Sequence, residues 1–230
     1  MAYDFLGLVN EVLVDFNEVI LNSTTFSTAP GFHNLVKYKV NAAIRDIYSA
    51  EDNKWPFTRS KFTQVLTVPV AIPYVLEYAL DATVAAADWE SFYIKRTADY
   101  MHSDLAIMDF NQYKREKYIS DSNSSTDAFG LPDHVVRLQN NKFTVTPVPK
   151  YAYTVEYEGF TLPTDLSAYN DVPTIPAKYR QVILDRALYY CYMFRDNAEE
   201  AALAENKFQM GLFDMRRELI PQNPFMVIRD

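Results

Sequence analysis

Catalysis needs a nucleophile, an acid–base pair, a metal cage or a phosphate cradle, and this sequence has few residues for any of them. Its three histidines, His33, His102 and His134, are scattered. None is spaced to share a helix face with another or to pair with the single cysteine, Cys191, so no metal site of imidazole and thiolate is expected. Only five glycines occur, and none has the spacing of a nucleotide or dinucleotide cradle. No serine lies in the Gly-flanked turn that a nucleophile elbow requires.

Carboxylates remain: Glu77 with Asp81, Asp88 with Glu90, and Asp196 with Glu199 and Glu200. A glycosidase would use two such groups across a cleft, one of them kept protonated by burial. Spacing alone equally describes solvated helix ends and surface faces. Glu199 and Glu200 illustrate this, since acids in a first helical turn are stabilised by the helix dipole without any reaction. The run Lys114, Arg115 and Lys117, interleaved with Tyr113 and Tyr118, could follow a nucleic-acid backbone with aromatic stacking. Glu116 interrupts it, and the reading preferred here is a solvated helix face or a protein-contact patch.

The totals favour contact over catalysis. With 22 basic and 30 acidic residues the net charge is −8, which opposes affinity for nucleic acid through phosphate neutralisation. At 230 residues the chain suits one domain with an inserted part or two domains, with a core that needs no disulfide, metal or cofactor. Cys191, between Tyr190 and Tyr192, is expected in the core. Seventeen tyrosines and fifteen phenylalanines exceed what one core hides, which points to interfaces or to a Tyr-rich β-surface facing water. Ala2 to Leu21 carries Asp4, Glu11, Asp15 and Glu18, unlike a signal peptide. No run reaches the roughly 20 apolar residues of a membrane span, so a soluble protein without membrane partners is expected.

The elements that would carry these residues follow from periodicity. Phe5, Leu8, Val9, Val12, Leu13, Phe16, Val19 and Ile20 recur at helical steps, and Val36, Val40, Ala43, Ile44, Ile47 and Tyr48 do so again. Trp55-Pro56-Phe57 breaks that pattern. From Phe62 the period becomes two, with strands expected at 62–68, 74–78, 92–94, 135–138, 143–146 and 153–157. A short helix is expected over 104–118, and a mobile Ser-rich loop over 121–127. Asn140-Asn141 fits a two-residue hairpin turn, because Asn tolerates positive φ. After Pro176, suited to a first helical turn, comes a helix that is apolar nearly all round. Leu184, Leu188, Tyr189, Tyr192 and Met193 lie off its main apolar face and are candidates for subunit packing. The last helix, 197–219, should pack antiparallel on it.

The fold class is therefore α+β: an antiparallel helical bundle from N- and C-terminal helices with an inserted β-rich, sandwich-like module. Residues 1–58 and 171–220 are assigned to the bundle, 59–170 to the insert, and 221–230 to an extended tail.

The order of these parts, VNAAIRDIYS, then WPF, then NNKFTVTPVPKYAYTVEYEG, then DVPTIPAKYRQVILDRALYY, resembles the head-to-tail adaptor, or connector, proteins of short-tailed bacteriophages over 38–219. The resemblance implies a virion protein, made in the host bacterial cytoplasm and without enzymatic activity. It further implies a ring of twelve subunits between the portal protein and the downstream tail (nozzle) protein, with genome DNA passing through unread. The uncovered tail residues Pro224, Phe225, Met226, Val227, Ile228 and Arg229 are candidates for portal contact. Two other readings stay open: a virion-associated peptidoglycan hydrolase using a carboxylate pair, and a monomeric β-module that binds a ligand.

Overall fold

The computed structural model describes residues 1–51, 54–70, 76–95, 103–123 and 129–220. In chain order it contains α1 (Phe5–Asp15), α2 (Gly31–Ser49), β1 (Arg59–Leu66), β2 (Tyr78–Ala79), β3 (Val84–Ile94), β4 (Ser103–Asp104), β5 (Ala106–Met108), α3 (Phe110–Glu116), α4 (Tyr118–Asn123), β6 (His134–Arg137), β7 (Lys142–Thr146), β8 (Tyr153–Thr161), α5 (Arg180–Phe194) and α6 (Ala198–Leu219). The chain divides into two compact units, Met1–Thr58 with Leu162–Asp230, and Arg59–Thr161.

In the helical unit, α5 packs against α1, α2 and α6. Its core joins Leu8, Val12, Val40, Ile47, Ile183 and Leu212 from all four helices. The Asp4 carboxylate caps α1 by accepting from Gly7 N at 2.7 Å. Val19 and Ile20 do not continue its apolar stripe, and both are exposed. Asn17 takes φ 54°, and the Asn17 and Glu18 amides return to Val14 O and Leu13 O, closing the helix with a left-handed cap. Asp196 (φ 55°) ends α5 in the same way, and Asn197 then caps α6 by accepting from Glu200 N. The two helices run antiparallel, with Lys178 meeting Glu218 at one end and Arg186 meeting Glu205 nearer the other. Trp55 is fully buried, and its indole donates to Ile47 O at 2.6 Å, which fastens the segment after α2 to the helix itself.

The β unit holds two four-stranded sheets, ordered β1-β8-β3-β4 and β2-β7-β6-β5. They share one core, in which Leu66, Phe92 and Tyr157 from the first meet Tyr78, Val135 and Phe143 from the second. The second sheet's outer face carries Val136, which packs with Tyr113 of α3. Phe92 stacks on Tyr157 with ring centres 4.6 Å apart, and Trp89 stacks on Phe92 at 5.1 Å.

Several expectations change here. β3 runs for eleven residues rather than three, with a break in register between Asp88 and Tyr93. Ser91 staples that bulge: its hydroxyl donates to Asp88 O at 2.5 Å and accepts from Glu158 N at 2.8 Å. The helix expected over 104–118 begins instead as β4 and as β5, which pairs parallel with β6, and Asp109 starts α3 by capping it. β1 stops at Leu66, and β2 covers only Tyr78 and Ala79, while 71–75 lie outside the described residues. In the expected Ser-rich loop, Asp121 and Ser122 are buried residues of α4, and 124–128 lie outside the described residues. The β6–β7 turn has three residues, Gln139, Asn140 and Asn141, because Leu138 N bonds Lys142 O. Both asparagines do take positive φ, 58° and 54°.

Candidate functional site

Of the carboxylates that could have formed a catalytic pair, Glu77, Asp81 and Asp88 are engaged locally, and Glu200 lines an acidic cavity of the helical unit. Glu77 accepts from Lys142 Nζ at 2.8 Å, and Asp88 from Arg59 at 2.9 Å. Asp81 accepts from the backbone and hydroxyl of Thr83, which hold its carboxyl below the usual range. Asp196 and Glu199 belong to the α5–α6 turn and the first turn of α6. Of the histidines, His33 meets Val19 O at 2.9 Å, His134 meets Asp133 at 2.6 Å, and His102 lies outside the described residues. Cys191 is buried, and desolvation pushes its thiol up to about 12. Among the described residues, no group of three or more His, Cys, Asp or Glu is placed to hold a metal.

The α5 residues proposed for subunit packing separate by burial. Leu184 belongs to the chain's own helical core, Leu188, Tyr189 and Tyr192 are half-buried, and Met193 is 49% exposed. Leu188 and Tyr192 line a cavity of about 210 Å³ with Asp15, Asp185, Glu200 and Lys207. Burial raises the carboxyls of both Asp15 and Asp185 there, as the charged form loses water. One surface was not singled out in the sequence: Leu203, Met210 and Phe213 of α6 are all exposed. They recur at steps of seven and three on one helix face, opposite the buried stripe of Phe208, Leu212 and Met215. Residues 224–229, the portal candidates, lie outside the described residues.

A second concavity lies in the β unit, between α3 and the β6–β7 hairpin. Its volume is about 590 Å³, and its walls include Phe110, Tyr118, Lys114, Arg137, Lys142 and Glu77. Lys114 Nζ stands 5.6 Å above the Phe110 ring, and the Arg137 guanidinium stands 5.7 Å from the Trp89 ring. Sequence spacing singled out Lys114, Tyr113 and Tyr118, yet it had no means of bringing Arg137 and Lys142 to them. Asp121 of α4, next to the groove residue Tyr113, is 3% exposed, and burial raises its carboxyl.

These two concavities, one acidic and one basic, suit contact with other molecules. Comparison with protein families decides the class: the model described as SU10 adaptor protein matches residues 3–224. The chain belongs to the SU10 adaptor protein family. It is therefore a bacteriophage adaptor, a structural protein of the tail connector. No match to this adaptor was found among curated proteins. Among the described residues, no helix of the adaptor is long and apolar enough to cross a membrane.

Proposed function

We propose that the chain is the head-to-tail adaptor of a short-tailed phage, assembling as a ring of twelve identical subunits that seats under the portal protein and passes the DNA channel on to the downstream tail (nozzle) protein. The family match over 3–224 carries this reading. Exposed Met193, Leu203, Met210 and Phe213 support lateral packing in the helical unit, where Leu188, Tyr189 and Tyr192 would add their half-open sides and Leu184 would hold the face from within. The net charge of −8 suits a channel wall that repels phosphate, so that genome DNA slides past without being read. Portal contact is assigned to Pro224, Phe225, Met226, Val227, Ile228 and Arg229. The role is structural, in the virion, after synthesis in the host bacterial cytoplasm. Local pairing of Glu77, Asp81 and Asp88 favours this role over glycan hydrolysis.

The test is to mix the purified chain with the portal of its own phage and image the product. A stoichiometric ring under the portal is expected, and portals without one overturn the reading. In the same assay a chain lacking residues 221–230 should lose portal binding, and unchanged binding removes the tail from the contact.

A further inference from the structure

The groove between α3 and the β6–β7 hairpin has no part in the reading above, and its lining is basic. Three cations, Lys114, Arg137 and Lys142, line it with one acid, Glu77, although the chain as a whole is acidic by 22 to 30. Among the described residues, only Lys142 of the three is neutralised, by Glu77 at 2.8 Å. Among the described residues Lys114 and Arg137 make no ion pair, and each lies against an aromatic ring. Between the cations the wall is apolar and open, with Phe110 40% and Tyr118 41% exposed. Its size falls within the range of sites that enclose a small ligand or a few side chains.

We propose that this groove is a docking site for a carboxylate-rich peptide segment of a partner protein. Two carboxylates would pair with Lys114 and Arg137, the latter able to bind one in a two-pronged manner, and an apolar side chain between them would lie on Phe110 and Tyr118. The Lys142–Glu77 pair already sets a carboxylate against an ammonium in the same wall. Single-stranded nucleic acid is the weaker fit. Two free cations release about two counterions, too few to hold a polyanion at physiological salt against a chain of net charge −8. The site is independent of ring formation, so its test needs neither portal nor ring.

The probe is a fluorescein-labelled octapeptide of alternating Glu and Tyr, titrated into the full chain and followed by anisotropy. A Gln-for-Glu version of the peptide and an eight-nucleotide oligothymidylate serve as comparisons. Saturable binding is expected, about tenfold or more weaker for the Gln peptide and for the Lys114→Glu/Arg137→Glu variant. Both residues are exposed, so the variant should fold, and Lys114→Gln alone provides a milder step of the same sign. Lys54→Glu, in the helical unit, should bind as the native chain does. Trp89 emission should shift on binding, since Arg137 lies against its ring. Absence of binding, equal binding of the Gln peptide, or an unaffected charge-reversed variant overturns the proposal. Tighter binding of oligothymidylate that the same variant abolishes overturns it in favour of a nucleic-acid site.

Discussion

Asn41 of α2 holds both backbone groups of Leu166, donating to its carbonyl and accepting from its amide, each at 2.9 Å. One side-chain amide thus supplies what a neighbouring strand would, to a segment 125 residues further along the chain. Asn41→Ala would leave an N–H and a C=O of partly buried backbone unpaired, a cost of about 2 kcal/mol. Urea denaturation should show that loss as a lower midpoint at unchanged slope. An unchanged midpoint would mean that water replaces the amide.

Where α5 meets α6, Gly211 faces Val182: a Cβ on Gly211 would stand 2.8 Å from Val182 Cγ2. Alanine would gain about 1 kcal/mol of helix propensity, but crowding a packed site costs about 1–3 kcal/mol, and a β-branched valine has little freedom to turn aside. Gly211→Ala should therefore destabilise the chain by about 1 kcal/mol. Adding Val182→Ala should make the alanine at 211 neutral or favourable, a coupling that a double-mutant cycle in urea measures.

Glu156, buried in β8, accepts from Lys61, Tyr93 and Lys95, which hold its carboxyl at about 2 against an ordinary 4.5. The folded state then binds fewer protons than the unfolded chain, so the stabilisation is full above about pH 4.5 and is lost as the pH falls toward 2. Glu156→Gln should lower the thermal midpoint at pH 7, and the gap to the native chain should close across that window. A gap that ignores pH would assign the loss to packing.

Asp121 should behave in the opposite sense. Burial raises its carboxyl above the ordinary 3.8, so the folded state holds the proton more tightly, and stability present below that value is lost as the pH rises through the folded one. Asp121→Asn should raise the thermal midpoint at pH 7 and make no difference below the ordinary carboxylate range. A lower midpoint at pH 7 would show that the charged form is held by partners.

Cys191, buried and with its thiol pushed up to about 12, should resist iodoacetamide at pH 8 in the folded chain and react fully in urea. Labelling of the native protein, read by mass spectrometry, would contradict its place in the core.

Much of this architecture was legible because burial imposes a period. The α1 and α2 stripes, the β6, β7 and β8 runs and the antiparallel α5–α6 pair all follow from apolar spacing. What escaped depended on partners distant in the chain. Ala86 and Ala87 have little strand preference, yet they lie in β3 because β8 pairs with them. Ala106 to Met108 form a strand only because β6 runs parallel beside them. The length of the α1 stripe was misread because Asn17 closes the helix through backbone geometry, which apolar spacing does not report. For the same reason the spacing of Lys114 and Tyr118 announced a contact patch while its second wall, Arg137 and Lys142, stayed hidden in the hairpin.

Pairing of β1 with β8 sets Arg59 opposite Phe160, so the inserted unit begins and ends on adjacent strands, about 5 Å apart. Once folded, about a hundred residues act on the helical unit as a connection barely longer than a tight turn. The loop-closure entropy of joining α2 to α5 then depends on that short span with residues 50–58 and 162–179, rather than on the whole intervening chain. During synthesis the β unit is complete before α5 and α6 emerge, so the insert can fold first and bring the two halves of the bundle's backbone together.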